Sequence, residues 1–599
     1  MAISNALFVS CMVPLMSFLS PRSAVQTVVI FSFMGASVAA QGVPPNAPNA
    51  GQELRTIEQM RPPLAQPVPA PEVEAEEPAP QKKRVVGANE KFLIRDISIV
   101  GNVLISMDEI APLFDSLKGQ RVGFDELKLA IDEVTLLYQS KGLLGRALLP
   151  SQDVTEGIIR IQIVEANFGG AEMSLDPDID YLVDPDIIKN IVEAMNEKGA
   201  PLNLETLERA ILIASDLPGV LANQSLQAGT APGETIALVR MINEPATLRS
   251  VMADNYGSLS TGDHRLMYVS SRLSPTGIGD RTNFVALFTE GNSYVSLTYD
   301  WPSGYRGMML GASASALEYE VVEGAAVDLN LKGTASTARL TMSKPFIRSR
   351  LQSLSMQGAV ERKVFYNESV FGEESDYVVD VASLGLTYSR VHDILLGGEF
   401  SASTTVFLGR NNFNDSPAAF TLAKKNEQVD GHYSMLSASA NYTQFINDDY
   451  TGMVKFTGQL ANDNLDSSSR MYLGGAEAVR AYPSGEAGGS NAFIVNLEVN
   501  RTIGDSFTAG LFYDYGYVRQ YVSDRNASTG QPLVLGADEN RVRLRGGGLS
   551  LVWEGASGFT VTSSVSRRIG ANPNRSVTGK DSNGRGEKTF FWLQGMARF

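Results

Sequence analysis

The segment GGAEAVRAYPSGEAGGS, 474–490, sets a single arginine, Arg480, between Val479 and Tyr482 and encloses the three in glycine. A planar guanidinium is shaped for bidentate hydrogen bonding to a carboxylate, so the chemistry on offer is directional ion pairing. Two carboxylates follow on the next strand-like runs. NAFIVNLEVNR puts Phe493, Val495, Leu497 and Val499 on one face and Asn496, Glu498 and Asn500 on the other. FTAGLFYDYGYV sets Asp514 against the face of Leu511, Tyr513, Tyr515 and Tyr517. Side chains alternate across a strand, so Glu498 and Asp514 share the polar side of consecutive strands. The competing reading is a solvated loop charge, because exposed loops tolerate almost any polar sequence.

Other chemistry is sparse. GRGEKT, 584–589, is superficially like a phosphate-binding loop, but Glu587 stands where the motif needs glycine before the lysine. No G-x-S-x-G, H-E-x-x-H or C-x-x-C occurs, and no pair of carboxylates is singled out by its spacing. Cys11 is the only cysteine, and His264, His392 and His432 are scattered. The reading is therefore no catalytic site, no metal and no cofactor. A formal charge of −16 argues against a nucleic-acid partner, whose phosphates need a basic footprint.

The elements that must position Arg480 are read from changes in texture along the chain. Arg22, the apolar run Ala24 to Met34 and the small residues Val38 and Ala40 predict a secretory signal over 1–40. The apolar stretch ahead of Arg22 leaves two further readings, a start at Met16 or a membrane anchor. Beyond residue 40 there is no apolar run of about 18 residues, so any membrane is crossed with strands. Residues 41–90 form a linker with prolines from Pro44 to Pro80, interrupted by GQELRTIEQMR, about 51–61. Leu54, Ile57 and Met60 recur there every three residues, the pattern of a short docked helix or of a transiently helical linker.

Residues 91–168 read as strand, helix, helix, strand, strand, with Leu127, Ile131, Val134 and Tyr138 on one helix face. Residues 169–246 repeat the theme, giving two small α+β modules in tandem. From 247 to 599 the chain is alternating short strands joined by Gly, Asn, Asp and Ser turns, with no convincing helix. A soluble sandwich also alternates, but the length of the region favours a transmembrane antiparallel β-barrel, as does the end in FFWLQGMARF at Phe599. At roughly 20 residues per strand and turn, about sixteen strands fit.

In these features the chain resembles the two-partner secretion outer-membrane transporters of the POTRA-barrel superfamily, which export haemolysins, adhesins and filamentous haemagglutinins. DISIVGNVLIS, YQSKG and LLPSQDVTEGIIRIQIVEA resemble a polypeptide-transport-associated (POTRA) domain, and LNLETLERAILIASDLPGV a second. DNYGSLSTGDHRLMYVSSRLSPTGIGDR resembles the first barrel hairpin, and KPFIRSR a later strand end. The resemblance implies that 474–490 is a loop folded back into the lumen, its tip Val479-Arg480-Ala481-Tyr482 carrying alanine where the family has glycine. GEAGGSNA also lacks an acidic residue that relatives often carry after the glycines.

The resemblance further implies that the arginine binds an acid in an F-x-x-D-x-G-like strand. FYDYG makes Asp514 the first choice and Glu498 the second. It places the barrel in the outer membrane of a Gram-negative bacterium, with periplasmic POTRA domains and with Phe599 as the signal read by the barrel-assembly machinery. The implied partner is a secreted exoprotein with an N-terminal secretion domain, threaded past a plug helix without nucleotide hydrolysis. A membrane-protein insertase of the same superfamily is the alternative, and a solute porin a third.

Overall fold

The computed structural model describes residues 48–59, 91–152, 156–324, 326–534, 540–555, 558–575 and 579–599. The expected signal segment, Met60 and most of the proline-rich linker lie outside these. Among the described residues no helix is long and apolar enough to cross a membrane.

The first module packs the helix Phe124–Ser140 on a three-stranded sheet of Asp96–Val100, Ile158–Glu165 and Gly145–Leu148. Leu127, Ile131, Val134 and Tyr138 recur at helical spacing and all four are buried against Ile159, Ile161 and Ile163, which alternate on the central strand. The second module lays Pro185–Met195 and Leu204–Ser215 on the strands Asn167–Ser174, Glu234–Asn243 and Val220–Ala228. Asp184 and Asn203 start these helices by accepting backbone N–H bonds from Asp186 and Thr206, at 2.9 Å each. The boundary expected between 168 and 169 needs correction. Asn167 and Phe168 pair with Glu234 and Thr235, so both belong to the second sheet. NFGGAEMS is rich in glycine and carries little alternation, which is why it did not stand out as a strand.

Sixteen antiparallel strands then close into a barrel, from Thr247–Asp254 to Thr589–Arg598. Closure is through the register Gln594↔Asp254 to Arg598↔Ser250. Phe599 extends the seam, exchanging backbone hydrogen bonds with Arg249 at 3.0 and 3.2 Å. Each strand turns apolar residues outward and polar or close-packed ones inward; neighbouring Leu460 and Gln459 are 62% and 3% exposed. An apolar exterior over a polar interior is the arrangement a lipid bilayer requires. Among the described residues an α-helix, Ala418–Asn426, stands in the loop after Gly398–Asn412, correcting the expectation of none beyond 247. None of its residues is buried, so it leaves no apolar stripe in the sequence.

The second module is fastened to the barrel rim by KPFIRSR. Arg348 donates from Nε and Nη2 to both carboxylate oxygens of Asp216 at 2.8 Å each, and Arg350 Nε donates to Glu208 Oε1 at 2.7 Å. Arg209 returns a bond to the Pro345 carbonyl at 3.2 Å.

Candidate functional site in the barrel lumen

The sixth loop on the rim opposite the modules connects Tyr450–Ala461 to Asn491–Ile503 and descends into the barrel. It is stiffened by the pairing of Met471–Tyr472 with Gly488–Gly489 and by a turn in which Tyr482 N–H donates to the Val479 carbonyl at 3.2 Å. At its tip Val479, Ala481 and Tyr482 are completely buried.

Arg480 binds both acids. Nε and Nη2 donate to the two oxygens of Asp514 at 2.9 Å each, and Nη1 donates to Glu498 Oε2 at 3.0 Å. Its backbone N–H adds a bond to Asp514 Oδ2 at 3.1 Å, and its guanidinium carbon lies 3.3 Å from the centre of the Phe512 ring. The Arg480 carbonyl accepts from Trp592 Nε1 at 2.7 Å and from the Ser566 hydroxyl. The acids are themselves held: Asn496 Nδ2 donates to Asp514 Oδ1 and Ser550 Oγ to Glu498 Oε1, both at 2.8 Å. Asn496 and Asp514 are direct cross-strand partners, which brings their side chains together on the inner face.

Ala481 carries no backbone strain; the left-handed residues of the loop are Gly475, Gly485 and Ala487, the last at φ 52°. The tip fits because inward positions of the wall lack side chains. A Cβ on Gly546 would lie 2.4 Å from the Ala481 methyl, and one on Gly516 would lie 2.9 Å from Val479 Cγ2. The concern attached to alanine at the tip is thus met by a glycine 65 positions later in the chain.

Sequence reasoning missed a second anchor. Glu486 is completely buried and accepts bonds from Asn572 and Asn574 side chains at 3.1 and 2.7 Å and from Ser582 N and Oγ at 2.9 and 2.7 Å. Those groups lie in the last loop, between Phe559–Arg568 and Thr589–Arg598. The only signal was Glu486, one of two glutamates in the loop, set before the last pair of glycines rather than after them.

The helix Ala50–Gln59 lies inside the barrel, beginning one residue before the expected span. Asn49 caps it, accepting from Gln52 N–H at 3.0 Å, and Leu54 and Ile57 are 1% and 5% exposed. Its polar side bonds to the wall, to the first loop and to the inward loop. Glu53 accepts from Thr261 Oγ1 at 3.0 Å and Asn292 Nδ2 at 3.1 Å, Arg55 Nε donates to the Arg470 carbonyl at 3.1 Å, and Lys363 Nζ meets Glu58 at 3.0 Å. A cavity of about 340 Å³ lies beside the end of the helix and the loop, lined by Thr56, Gln59, Gly474, Glu477 and Asn496 among others.

The model of the family described as haemolysin secretion/activation protein ShlB/FhaC/HecB matches residues 233–537, and that of the ShlB-type POTRA domain matches 92–166. The heme/hemopexin transporter protein HuxB of Haemophilus influenzae strain 86-028NP is 23% identical over 524 residues, 85% of this chain and 87% of its own. CdiB from Escherichia coli superposes with a TM-score of 0.64 at 17% identity, covering 88% of this chain and 93% of that one. BamA from Haemophilus ducreyi lacking POTRA domains 1–3 reaches 0.51 at 12% identity, covering 85% and 100%.

Proposed function

The chain belongs to the ShlB/FhaC/HecB family of haemolysin secretion/activation proteins, and from that membership we infer that it is the transporter of a two-partner secretion pair, the pore that recognises and exports a large secreted partner. The observation that carries this reading is the helix Ala50–Gln59 inside the barrel, joined to two POTRA modules. A lumen stoppered by a short segment held through polar contacts is built to open, since each hydrogen bond lost to the helix is recovered with water or with cargo.

The two modules stand in the periplasm and bind the partner's N-terminal secretion domain, its strand adding to an open sheet edge. Engagement withdraws the helix, and the unfolded partner threads outward. Arg480, Asp514 and Glu498 hold the loop tip Val479–Tyr482 against the wall, so the lumen keeps a defined shape while the helix leaves. Leu54 and Ile57 form the apolar side of the plug, and Phe599 closes the seam that the barrel-assembly machinery reads. Nothing in the mechanism calls for nucleotide hydrolysis; folding of the partner outside the cell supplies direction.

The test is export of a secreted partner from cells that carry this chain. Deleting the chain is expected to abolish its appearance in the medium and to leave other outer-membrane barrels at normal levels. A general loss of assembled barrels would replace secretion by insertion. With the chain present, Arg480→Ala and Asp514→Ala are each expected to reduce export at unchanged protein level. Unchanged export from both removes the clamp from the mechanism.

A further inference from the structure

The strand Arg541–Glu554 opens with RVRLR. The period of two turns Arg541, Arg543 and Arg545 to the outer wall, while Val542 and Leu544, at 1% and 0% exposure, face inward. Arg567, opposite Gly547 on the next strand, faces outward with them. All four are exposed, and among the described residues none is ion-paired to a carboxylate. Four uncompensated arginines on one outer stripe run against a chain whose formal charge is −16.

Below them the same outer face continues as the exposed Leu549, Leu551 and Trp553, where Trp553 packs edge-on against Phe559 with ring centres 5.9 Å apart. That pair lies on the rim nearest the modules and marks the lower interface of the lipid-facing band. From Trp553 to Arg545 the strand climbs about 26 Å along its own axis and, at a tilt of about 40°, about 20 Å along the membrane normal. The apolar band of such barrels is about 25 Å tall, so Arg545 stands near its upper edge, with Arg543 and Arg541 at the level of the outer-leaflet headgroups. Elsewhere on the outer wall Arg362 also faces outward, but Asp380 neutralises it through two bonds of 2.7 and 2.8 Å. Among the described residues no such carboxylate is paired with Arg543 or Arg545.

We propose that Arg541, Arg543, Arg545 and Arg567 form a binding site for the phosphorylated headgroup of an outer-leaflet lipid, with its acyl chains on Leu549 and Leu551. Guanidinium groups suit phosphate through paired N–H donors, and the stripe runs straight into apolar wall, as a lipid requires. An acidic protein would be met by loop tips rather than by the wall itself. The site rests on the outer-membrane reading above, but its readout is lipid affinity in detergent, so its failure is distinguishable from a failure of secretion.

The experiment is native mass spectrometry of the full chain in detergent, titrated with bisphosphorylated lipid A, with the same lipid lacking both phosphates, and with inorganic phosphate. Wild type is expected to prefer the phosphorylated lipid by about tenfold or more, the scale of one or two charge-assisted hydrogen bonds. Arg543→Gln with Arg545→Gln is expected to erase that preference, and the double lysine variant to keep most of it. Heat-modifiable migration checks that each barrel is closed; if the glutamine pair does not fold, Arg541→Gln with Arg567→Gln takes its place. Equal binding of the dephosphorylated lipid, an undiminished preference in the glutamine variant, or binding of inorganic phosphate as tight as that of the lipid would each overturn the proposal. So would loss of binding to the secreted partner in the glutamine variant with lipid affinity unchanged.

Discussion

Arg480 directs Nε, Nη1 and Nη2 to two fixed acids, so truncating Arg480 leaves the completely buried Asp514 without its counter-charge. Breaking a buried pair from one side costs about 3–5 kcal/mol, far above the worth of an exposed pair. The neighbouring contact between the Ala481 methyl and Gly546 acts through volume instead. Gly546→Ala forces two methyl groups into one space, an overpacking cost of about 1–3 kcal/mol. The expected result is faster protease cleavage within 474–490 and earlier loss of heat-modifiable migration. Adding Ala481→Gly returns the missing volume from the other side and is expected to restore wild-type resistance. A double variant as fragile as Gly546→Ala alone would show that the fit lies elsewhere.

The plug helix owes its place to tertiary contacts, since ten residues are too few to be stable alone in water. Its buried acid matters most: Glu53→Ala deprives Thr261 and Asn292 of their acceptor, at a cost of about 1–3 kcal/mol. In planar bilayers the variant is expected to open about 5- to 150-fold more often than wild type. Deleting 50–59 is expected to leave a steadily conducting pore still narrowed by the loop, which Arg480→Ala then widens further. Conductance equal to wild type after the deletion would mean that the helix does not occlude the path. The loop differs from the helix in being continuous at both ends with barrel strands, Tyr450–Ala461 and Asn491–Ile503, and is held besides at Arg480 and Glu486, so it is the less easily withdrawn element.

Across the molecule, the second module is joined to the rim by both charge and packing. Arg348–Asp216 is partly exposed, with side chains 23% and 32% accessible, so it contributes about 1 kcal/mol or less. Beneath it a Cβ on Gly307 would lie 3.2 Å from Ile213 Cγ2, and one on Gly279 would lie 2.9 Å from Leu217, so the module sits directly on the barrel turns. Asp216→Ala with Glu208→Ala is therefore expected to loosen the module without detaching it. Distances between spin labels on Leu204–Ser215 and on the rim should broaden around an unchanged mean. A shifted mean would show that the ion pairs set the angle of the module, and an unchanged width that packing alone holds it.

Alternation along each strand is a local consequence of the two-residue repeat of the extended backbone, so the barrel, its inner and outer faces, and the inward direction of Glu498 and Asp514 were available from the chain itself. The four buried positions of the helix Phe124–Ser140 were available for the same reason, at a period of 3.6. Periodicity carries no information about which residue of one strand lies opposite which residue of another. Whether Arg480 takes one acid or both, where the Ala481 methyl is received, and which groups bind Glu486 all depend on register and closure among strands and loops distant in sequence. Gly546 is the clearest case: in the sequence it is one glycine in a run of three, and only the closed barrel brings it face to face with the tip of the loop.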